Sequence, residues 1–170
     1  MNLLLNLTST HAALGRLLDH FRSLVLLGTR FYVGWQFWKS GWLKVTSWST
    51  TLDLFRTEYH VPLLPPEIAA ITGGFGELFF PALLFLGLFG RVGALGAFFV
   101  NAMAVISYRQ VLLAEGFEAA LAQHVLWGFM LLILIVCGPG RIAADSWLER
   151  RSAARRRPFT PALPARAGVG

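Results

Sequence analysis

The stretch IAAITGGFGELFFPALLFLGLFG, residues 68–90, decides the class of protein, because it is long and apolar and carries one charged side chain, Glu77. At about 1.5 Å per residue, about 20 helical residues cross a hydrocarbon layer of about 30 Å. Inside lipid a backbone must satisfy its own N–H and C=O groups, which a helix does. The stretch therefore predicts a membrane-spanning helix with a carboxyl group inside the bilayer.

The composition of the whole chain agrees with a membrane protein. Of its 170 residues, 55% are hydrophobic and only 14% are charged, with a mean hydropathy of +0.57. A soluble domain is about one quarter charged. Apolar runs predict four spans, which cover residues 23 to 39 or 44, 67–89, 92–108 and 121–138. We expect an all-α fold, a polytopic membrane four-helix bundle.

The net charge of +6 has a distribution that argues against a nucleic-acid-binding protein. Basic residues collect beside the apolar runs, as Arg22, Arg91 and Arg141 do, and in the tail RRSAARRR, residues 150–157. Arginine and lysine are enriched in the cytoplasmic loops of membrane proteins. We therefore expect both the N- and C-termini in the cytoplasm and no nucleic-acid partner.

The chain divides into three predicted parts. Residues 1–22 form a cytoplasmic amphipathic segment, residues 23–140 form the membrane domain, and residues 141–170 form a basic tail that we expect to be disordered. In the first segment, one helical face would carry apolar side chains, namely Leu14, Leu17, Leu18 and Phe21.

Redox-active groups are scarce in this sequence. The only cysteine, Cys137, cannot form an intrachain disulfide, and His124 is the only histidine within a predicted span, which argues against a bis-histidine haem. No metal-ligand cluster and no nucleotide-binding loop is recognisable. We expect no cofactor bound by the chain alone, so a partner would have to supply any electrons.

Polar side chains inside the predicted spans are the candidate functional residues, because such residues face the bundle interior and find partners there. Counted along each helix from its cytoplasmic end, four of them lie about 15–21 Å deep. These are Gln36, Glu77, Asn101 and His124. Arg30 lies below this layer, and a direct Arg30–Glu77 pair is left open.

The first span carries a stripe of residues at spacings of 4, 3, 4 and 3, which share one helical face: Arg30, Gly34, Phe37, Gly41 and Lys44. The stripe has two interpretations. In the first it is a glycine-lined packing seam, with Lys44 extending to the lipid headgroups. In the second it is a cleft, in which Arg30 and Lys44 hold an anionic or carbonyl-bearing ligand.

These features resemble the DoxX family of small four-helix membrane proteins over residues 24–140. The resemblance rests on the first-span stripe, the second-span glutamate and the following LFLGLFGRVGALG, residues 84–96. It implies a bacterial inner-membrane protein linked to membrane redox chemistry. Relatives are described as subunits of thiosulfate:quinone oxidoreductase, or as membrane partners of soluble redox and sulfur-handling proteins.

The leading hypothesis is therefore a membrane subunit of a redox system that binds a quinone or similar carrier, at most one subunit of a quinone-linked oxidoreductase. Glu77 and His124 are the candidate catalytic residues. The candidate ligand-binding residues are Arg30, Gln36, Lys44 and Asn101.

A non-catalytic anchor or assembly scaffold for partner enzymes is the alternative, and a proton or small-solute pathway, which would need an oligomer, is a third. The first two differ in what they require of Glu77. A quinone site requires that Glu77 line an accessible cavity, whereas an anchor requires only that it be paired.

Overall fold

The computed structural model describes residues 2–155, with the side chains of residues 14, 15, 18, 19 and 21–152. Regular structure in this range is entirely helical, as predicted. The helices are α1 (Asn2–Thr46), α2 (Trp48–Thr57), α3 (Pro66–Leu86), α4 (Gly90–Ser107), α5 (Arg109–Leu112), α6 (Glu118–Cys137) and α7 (Ala144–Arg155).

Three of the described helices, α3, α4 and α6, are long and apolar enough to cross a membrane, and they imply a lipid bilayer environment. They coincide within a few residues with three of the predicted spans. Helix α1 is long enough but does not share this composition, because Arg30, Gln36 and Lys39 interrupt its apolar run. Composition thus identifies three candidate spans.

Helix α1 continues through residue 22 without a break, so the predicted N-terminal segment and the first predicted span lie on one helix. On the predicted apolar face, Leu14, Leu18 and Phe21 are each at least half exposed. The side chain of Leu17 lies outside the described residues. The division of the chain at residue 22 stays a prediction.

The core lies among α1, α3, α4 and α6. Helix α3 packs against α1 and α4, and α6 packs against α4 and α1, so the four helices surround a common centre. Buried apolar side chains from all four fill it, namely Leu26, Val33, Phe37, Leu84, Ala94, Ala97, Leu131 and Leu134. The four-helix arrangement places the predicted polar residues close to this apolar centre.

The bundle has two distinct ends. One, the turn end, consists of the α3–α4 turn and the segment from Cys137 to Trp147. Here Gly87 ends α3 in the left-handed conformation, with φ of 63°, which glycine adopts without a Cβ clash. The other, the α2 end, consists of α2, α5 and residues 58–65. Helix α3 begins there with Pro66 at its first turn, where a missing N–H costs no hydrogen bond.

The start of the tail differs from the expected disorder, because residues 144–155 form helix α7. Asp145 fastens this helix to the α3–α4 turn. Its carboxylate oxygens accept hydrogen bonds from the backbone N–H groups of Phe89 and Gly90, both at 2.8 Å. Its own N–H donates to the carbonyl of Gly87. Residues 156–170 lie outside the described residues.

Candidate functional site

Glu77 forms an ion pair with Lys44 across the α1–α3 interface. The Lys44 Nζ lies 2.7 Å from Oε2 and 2.9 Å from Oε1 of Glu77, and it also donates to the Ser40 hydroxyl at 2.8 Å. The two side chains are only 16% and 8% exposed, respectively. Both carboxylate oxygens therefore have a charged donor, in a site shielded from solvent.

Small residues bring the two helices close enough for this pair. A Cβ on Gly41 would lie 2.9 Å from both the Glu77 Cβ and the Leu78 Cγ, and a Cβ on Gly74 would lie 3.8 Å from the Lys44 Cβ. Helical side chains lean toward the N-terminus of their own helix. Because α1 and α3 run in opposite directions, Lys44 and Glu77 lean toward each other.

Arg30 does not pair with Glu77, so the pair that the sequence left open does not form. Its guanidinium is 1% exposed and donates through Nη2 to the carbonyl of Ile142 at 2.6 Å, at the turn end. Its Nε and Nη1 have no hydrogen-bond partner among the described residues. Arg30 and Lys44 thus contact different groups, the first the carbonyl of Ile142 and the second the carboxylate of Glu77.

The first-span stripe faces the protein interior as predicted, and α3 fills its glycine gaps. Gly34 lies under the Phe85 ring, whose Cε1 would be 2.8 Å from an added Cβ, and Gly41 lies against Glu77 and Leu78. The geometry matches the packing seam, with one difference. Lys44 turns inward to Glu77, instead of extending to the headgroups.

Asn101 and His124 form a second polar pair, which joins α4 to α6. The Asn101 Nδ2 donates to the His124 carbonyl at 2.9 Å, and its Oδ1 lies 2.8 Å from the His124 Nδ1. Since Oδ1 can only accept, Nδ1 carries the proton in this arrangement. Gly128 leaves room for the pair, because a Cβ there would lie 3.2 Å from the Asn101 Nδ2.

The predicted polar layer is therefore divided into separate groups. Gln36 donates to the carbonyl of Tyr32, one turn earlier on α1, at 3.4 Å, and among the described residues it takes part in neither pair. Among the described residues no hydrogen bond connects the Lys44–Glu77 pair with the Asn101–His124 pair. Counting residues along each helix placed these side chains at similar depths in the membrane. The count did not show which helix faces contact each other.

A cluster of three aromatic rings at the α2 end is a feature that sequence reasoning missed. The ring of Tyr59 lies 4.7 Å from that of Phe55 and 4.8 Å from that of Tyr108, centroid to centroid. Burial raises the pKa of the Tyr59 phenol, and Tyr108 and the negative charge of Glu77 raise it further.

Sequence reasoning also missed two contacts of Lys44, one with Ser40 and one with Thr51. The Thr51 hydroxyl donates to the Lys44 carbonyl at 3.0 Å, which fixes α2 over the end of α1. Ser40 precedes Lys44 by four residues, the spacing at which helical side chains touch, so the sequence held a signal for this contact. The Thr51 contact depends on the fold of the loop between α1 and α3.

Two of the larger clefts on the surface of the described residues are lined by none of the six predicted site residues. A cleft of about 660 Å³ lies at the turn end. Another of about 690 Å³ lies between α5 and α6, from Leu112 to Val125. Within the described residues, no group of three histidine, cysteine, aspartate or glutamate side chains is placed to hold a metal ion.

Fold and site define a helical membrane protein with a buried Lys44–Glu77 ion pair and an Asn101–His124 pair between its helices. The DoxX family model matches residues 25–110, just over half of the chain, and the protein belongs to the DoxX family. The matched region contains the first-span stripe, Glu77 and the α3–α4 turn; it ends before α6, whereas the resemblance noted in the sequence extends to residue 140. With its apolar helices, family membership makes this a multi-pass membrane protein. Searches of the curated proteins and of the solved structures find no significant match.

Proposed function

We propose that this protein is an anchoring subunit of a redox system in the bacterial inner membrane, with a redox protein as its partner. The observation that carries the proposal is the pairing of Glu77: both of its carboxylate oxygens bind Lys44, and it lines neither cleft. An anchor requires only such pairing, whereas a reaction site requires access. The DoxX family is loosely associated with membrane oxidoreductase functions, which supports the redox setting.

In this proposal α1 is a fourth span, over residues 23–44. Its low hydropathy does not forbid this, because α3 shields the charges that face it. Arg30 is 1% exposed and Lys44 is neutralised by Glu77. Charged residues within membrane spans are tolerated when they face the bundle and find partners.

The turn end faces the cytoplasm in this topology, and both termini lie on that side. Arg22, Arg91 and Arg141 all lie at the turn end, and cytoplasmic ends carry an excess of arginine and lysine. At the α2 end, Arg56 is paired with Glu67, which leaves less net positive charge there.

The partner docks on the basic face of α7 and the tail that follows it. Arg150 and Arg151 are exposed on α7, and Arg151 lies 3.7 Å above the ring of Trp147. A soluble redox protein with an acidic surface would complement these charges, which favour the speed and specificity of association.

Cell fractionation tests this proposal. In a strain that lacks the chain, we expect a redox protein to move from the membrane fraction to the soluble fraction. Wild-type protein restores its attachment, and so does Arg109→Glu, a charge reversal near the α2 end. Arg150→Glu with Arg151→Glu, on α7, does not restore it. An unchanged set of membrane-bound redox proteins in the deletion strain would overturn the proposal.

A second candidate, a quinone site at the α2 end, is favoured by the cluster of three aromatic rings there. Lys44 supplies a positive charge and Tyr59 supplies a phenol, whose ring lies tilted between those of Phe55 and Tyr108. Reducing a quinone to a quinol takes two electrons and two protons. The electrons come from the partner, and Glu77 passes the protons to the bound ring.

In this second candidate His124 is a proton donor deeper in the bundle and Asn101 sets its tautomer, whereas Arg30 and Gln36 lie outside the α2-end site. Quinone extracted from purified wild type, Glu77→Gln and Glu67→Gln tests it. Glu67 is the matched control, because it is a carboxylate on the same helix but half exposed. Quinone lost only from Glu77→Gln, with the fold intact, would favour this candidate. Equal quinone in all three samples, or none, would refute it.

A further inference from the structure

The cleft at the turn end is formed by four parts of the chain. One wall is α1 from Asp19 to Leu26, and another is the start of α4 from Gly90 to Val92. The segment from Cys137 to Arg141 and the start of α7 complete it. Its volume of about 660 Å³ accommodates a group larger than a simple ion.

Three arginines from three of these parts line the cleft: Arg22 on α1, Arg91 on α4 and Arg141 after α6. Within the described residues none of them forms a salt bridge, since the ion pairs found there are Lys44–Glu77 and Arg56–Glu67. Guanidinium groups bind phosphate through parallel hydrogen bonds. The cleft thus presents three unpaired phosphate-binding groups.

Three acidic residues also line the cleft, and they are not equivalent. Asp145 is already engaged, because its two oxygens accept the N–H groups of Phe89 and Gly90. Asp19 and Glu149 are exposed and form no ion pair among the described residues. The cleft therefore offers sites for a negative and a positive group together, which a purely anionic ligand would not use.

The position of the cleft corresponds to the edge of a membrane. It lies where α3 and α6 end and α4 begins, and apolar side chains share its lining with the charged ones. Phe89 and Val92 line it and are also largely exposed on the outside of the bundle, with relative exposures of 64% and 58%. A ligand held here would have its polar part in the cleft and any acyl chains along the lipid-facing surface.

We infer that this cleft binds the phosphoethanolamine headgroup of a membrane phospholipid. Arg22, Arg91 and Arg141 hold the phosphate diester, and Asp19 and Glu149 accept the ammonium. The lining of this cleft includes neither the Lys44–Glu77 pair nor the proposed docking residues Arg150 and Arg151.

Native mass spectrometry of the full chain, released from detergent with defined lipids, tests the inference. The lipids are phosphatidylethanolamine, phosphatidylglycerol and phosphatidylcholine, and soluble phosphoethanolamine and inorganic phosphate are tested separately. We expect phosphatidylethanolamine to bind best, because phosphatidylglycerol has no ammonium and the trimethylated amine of phosphatidylcholine has no N–H to donate. Stronger binding of phosphatidylglycerol would overturn the zwitterionic assignment, and equal binding of soluble phosphoethanolamine would overturn the lipid assignment.

Two matched sets of variants make the test specific. Replacing Arg22, Arg91 and Arg141 with glutamine should weaken phosphatidylethanolamine binding about tenfold or more, since it removes the charge-assisted hydrogen bonds. Replacing the same three with lysine should retain part of the affinity. The control replaces three arginines outside the cleft with glutamine, namely Arg56, Arg109 and Arg151, and should change binding less than about twofold.

The acidic residues provide a separate readout. Asp19→Asn with Glu149→Gln should remove the preference for phosphatidylethanolamine over phosphatidylglycerol without abolishing lipid binding, because the arginines remain. Thermal melting of each variant establishes that it is folded. Equal loss of lipid in the cleft and control arginine variants, or an unchanged preference in the acidic variant, would contradict the inference.

Discussion

The Lys44–Glu77 pair leads to a quantitative prediction, because the chain contains a second ion pair of the same length. The closest N–O distance is 2.7 Å both in Lys44–Glu77 and in Arg56–Glu67. The exposures differ, at 16% and 8% in the first pair and 51% and 49% in the second. Double-mutant cycles on the two pairs therefore compare the coupling energy of a buried ion pair with that of an exposed ion pair at the same N–O distance.

Removing one partner of a buried pair leaves an uncompensated charge, which costs about 3–5 kcal/mol. We expect Lys44→Met and Glu77→Gln each to lower the free energy of unfolding by an amount of this order. The double variant removes both charges, so it should be less destabilised than the sum of the two, with a coupling energy of about 1–3 kcal/mol. For Arg56→Met with Glu67→Gln, water and salt screen both charges, and the coupling should be indistinguishable from zero.

Unfolding in mixed micelles with increasing denaturing detergent, followed by far-UV circular dichroism, measures these free energies. Added salt provides a second check, because it should change any residual coupling of the exposed pair but leave that of the buried pair nearly unchanged. A coupling energy at Lys44–Glu77 no larger than that at Arg56–Glu67 would refute the claim that the buried pair holds α1 to α3.

Three further predictions concern packing, the second polar pair and the aromatic cluster. Gly41→Ala should lower the free energy of unfolding by about 1–3 kcal/mol, because its Cβ would lie 2.9 Å from Glu77 and Leu78. Gly28→Ala is its control, with no atom within 4 Å, and should be neutral or stabilising by up to about 1 kcal/mol; equal effects in denaturation would contradict the packing argument. Asn101→Leu should cost about 1–3 kcal/mol, since it leaves the His124 carbonyl and ring N–H without their partner; a melting temperature equal to that of wild type would exclude the pair. The raised pKa of Tyr59 means that its stabilising contribution is present below the ordinary tyrosine pKa and is lost as the pH rises through the folded-state pKa. Tyr59→Phe should therefore lose less stability than wild type in alkaline denaturation, and equal losses would argue against the buried phenol.

The apolar helices were predictable because lipid imposes a simple rule on long apolar runs. The predicted spans 67–89, 92–108 and 121–138 correspond to α3, α4 and α6. The inward face of the first-span stripe was predictable as well, because glycine and arginine at helical spacing distinguish one side of α1.

The pairing of Glu77 with Lys44 was not predictable from the depth of each residue along its helix. Counting about 1.5 Å per residue puts Lys44 about 32 Å and Glu77 about 18 Å from the turn end, a difference of about 14 Å that argues against a contact. The two counts start from Ser23 on α1 and from Phe89 after α3, and these starting points are not level with each other, because a Cβ on Gly41 would lie only 2.9 Å from the Glu77 Cβ. On antiparallel helices Lys44 and Glu77 lean toward each other, and the long lysine side chain covers much of the remaining distance.

The docking of α7 was also beyond sequence reasoning. Its composition is polar and basic, which favours disorder when no partner is present. Its first turn is fixed by Asp145, whose hydrogen-bond donors, Phe89 and Gly90, lie more than 50 residues earlier in the chain. Such a contact between distant parts of the chain has no local signal.

Complementation with a charge-free variant tests the central claim most directly, namely that the buried charges of this DoxX-family protein stabilise the bundle and do not perform chemistry. The variant carries Lys44→Met with Glu77→Gln and is used under conditions where it is folded. In a strain lacking the chain, the account predicts that it restores both the membrane attachment of the redox partner and quinone reduction to wild-type levels. Restored attachment without restored quinone reduction would contradict the account and would assign Glu77 to proton transfer.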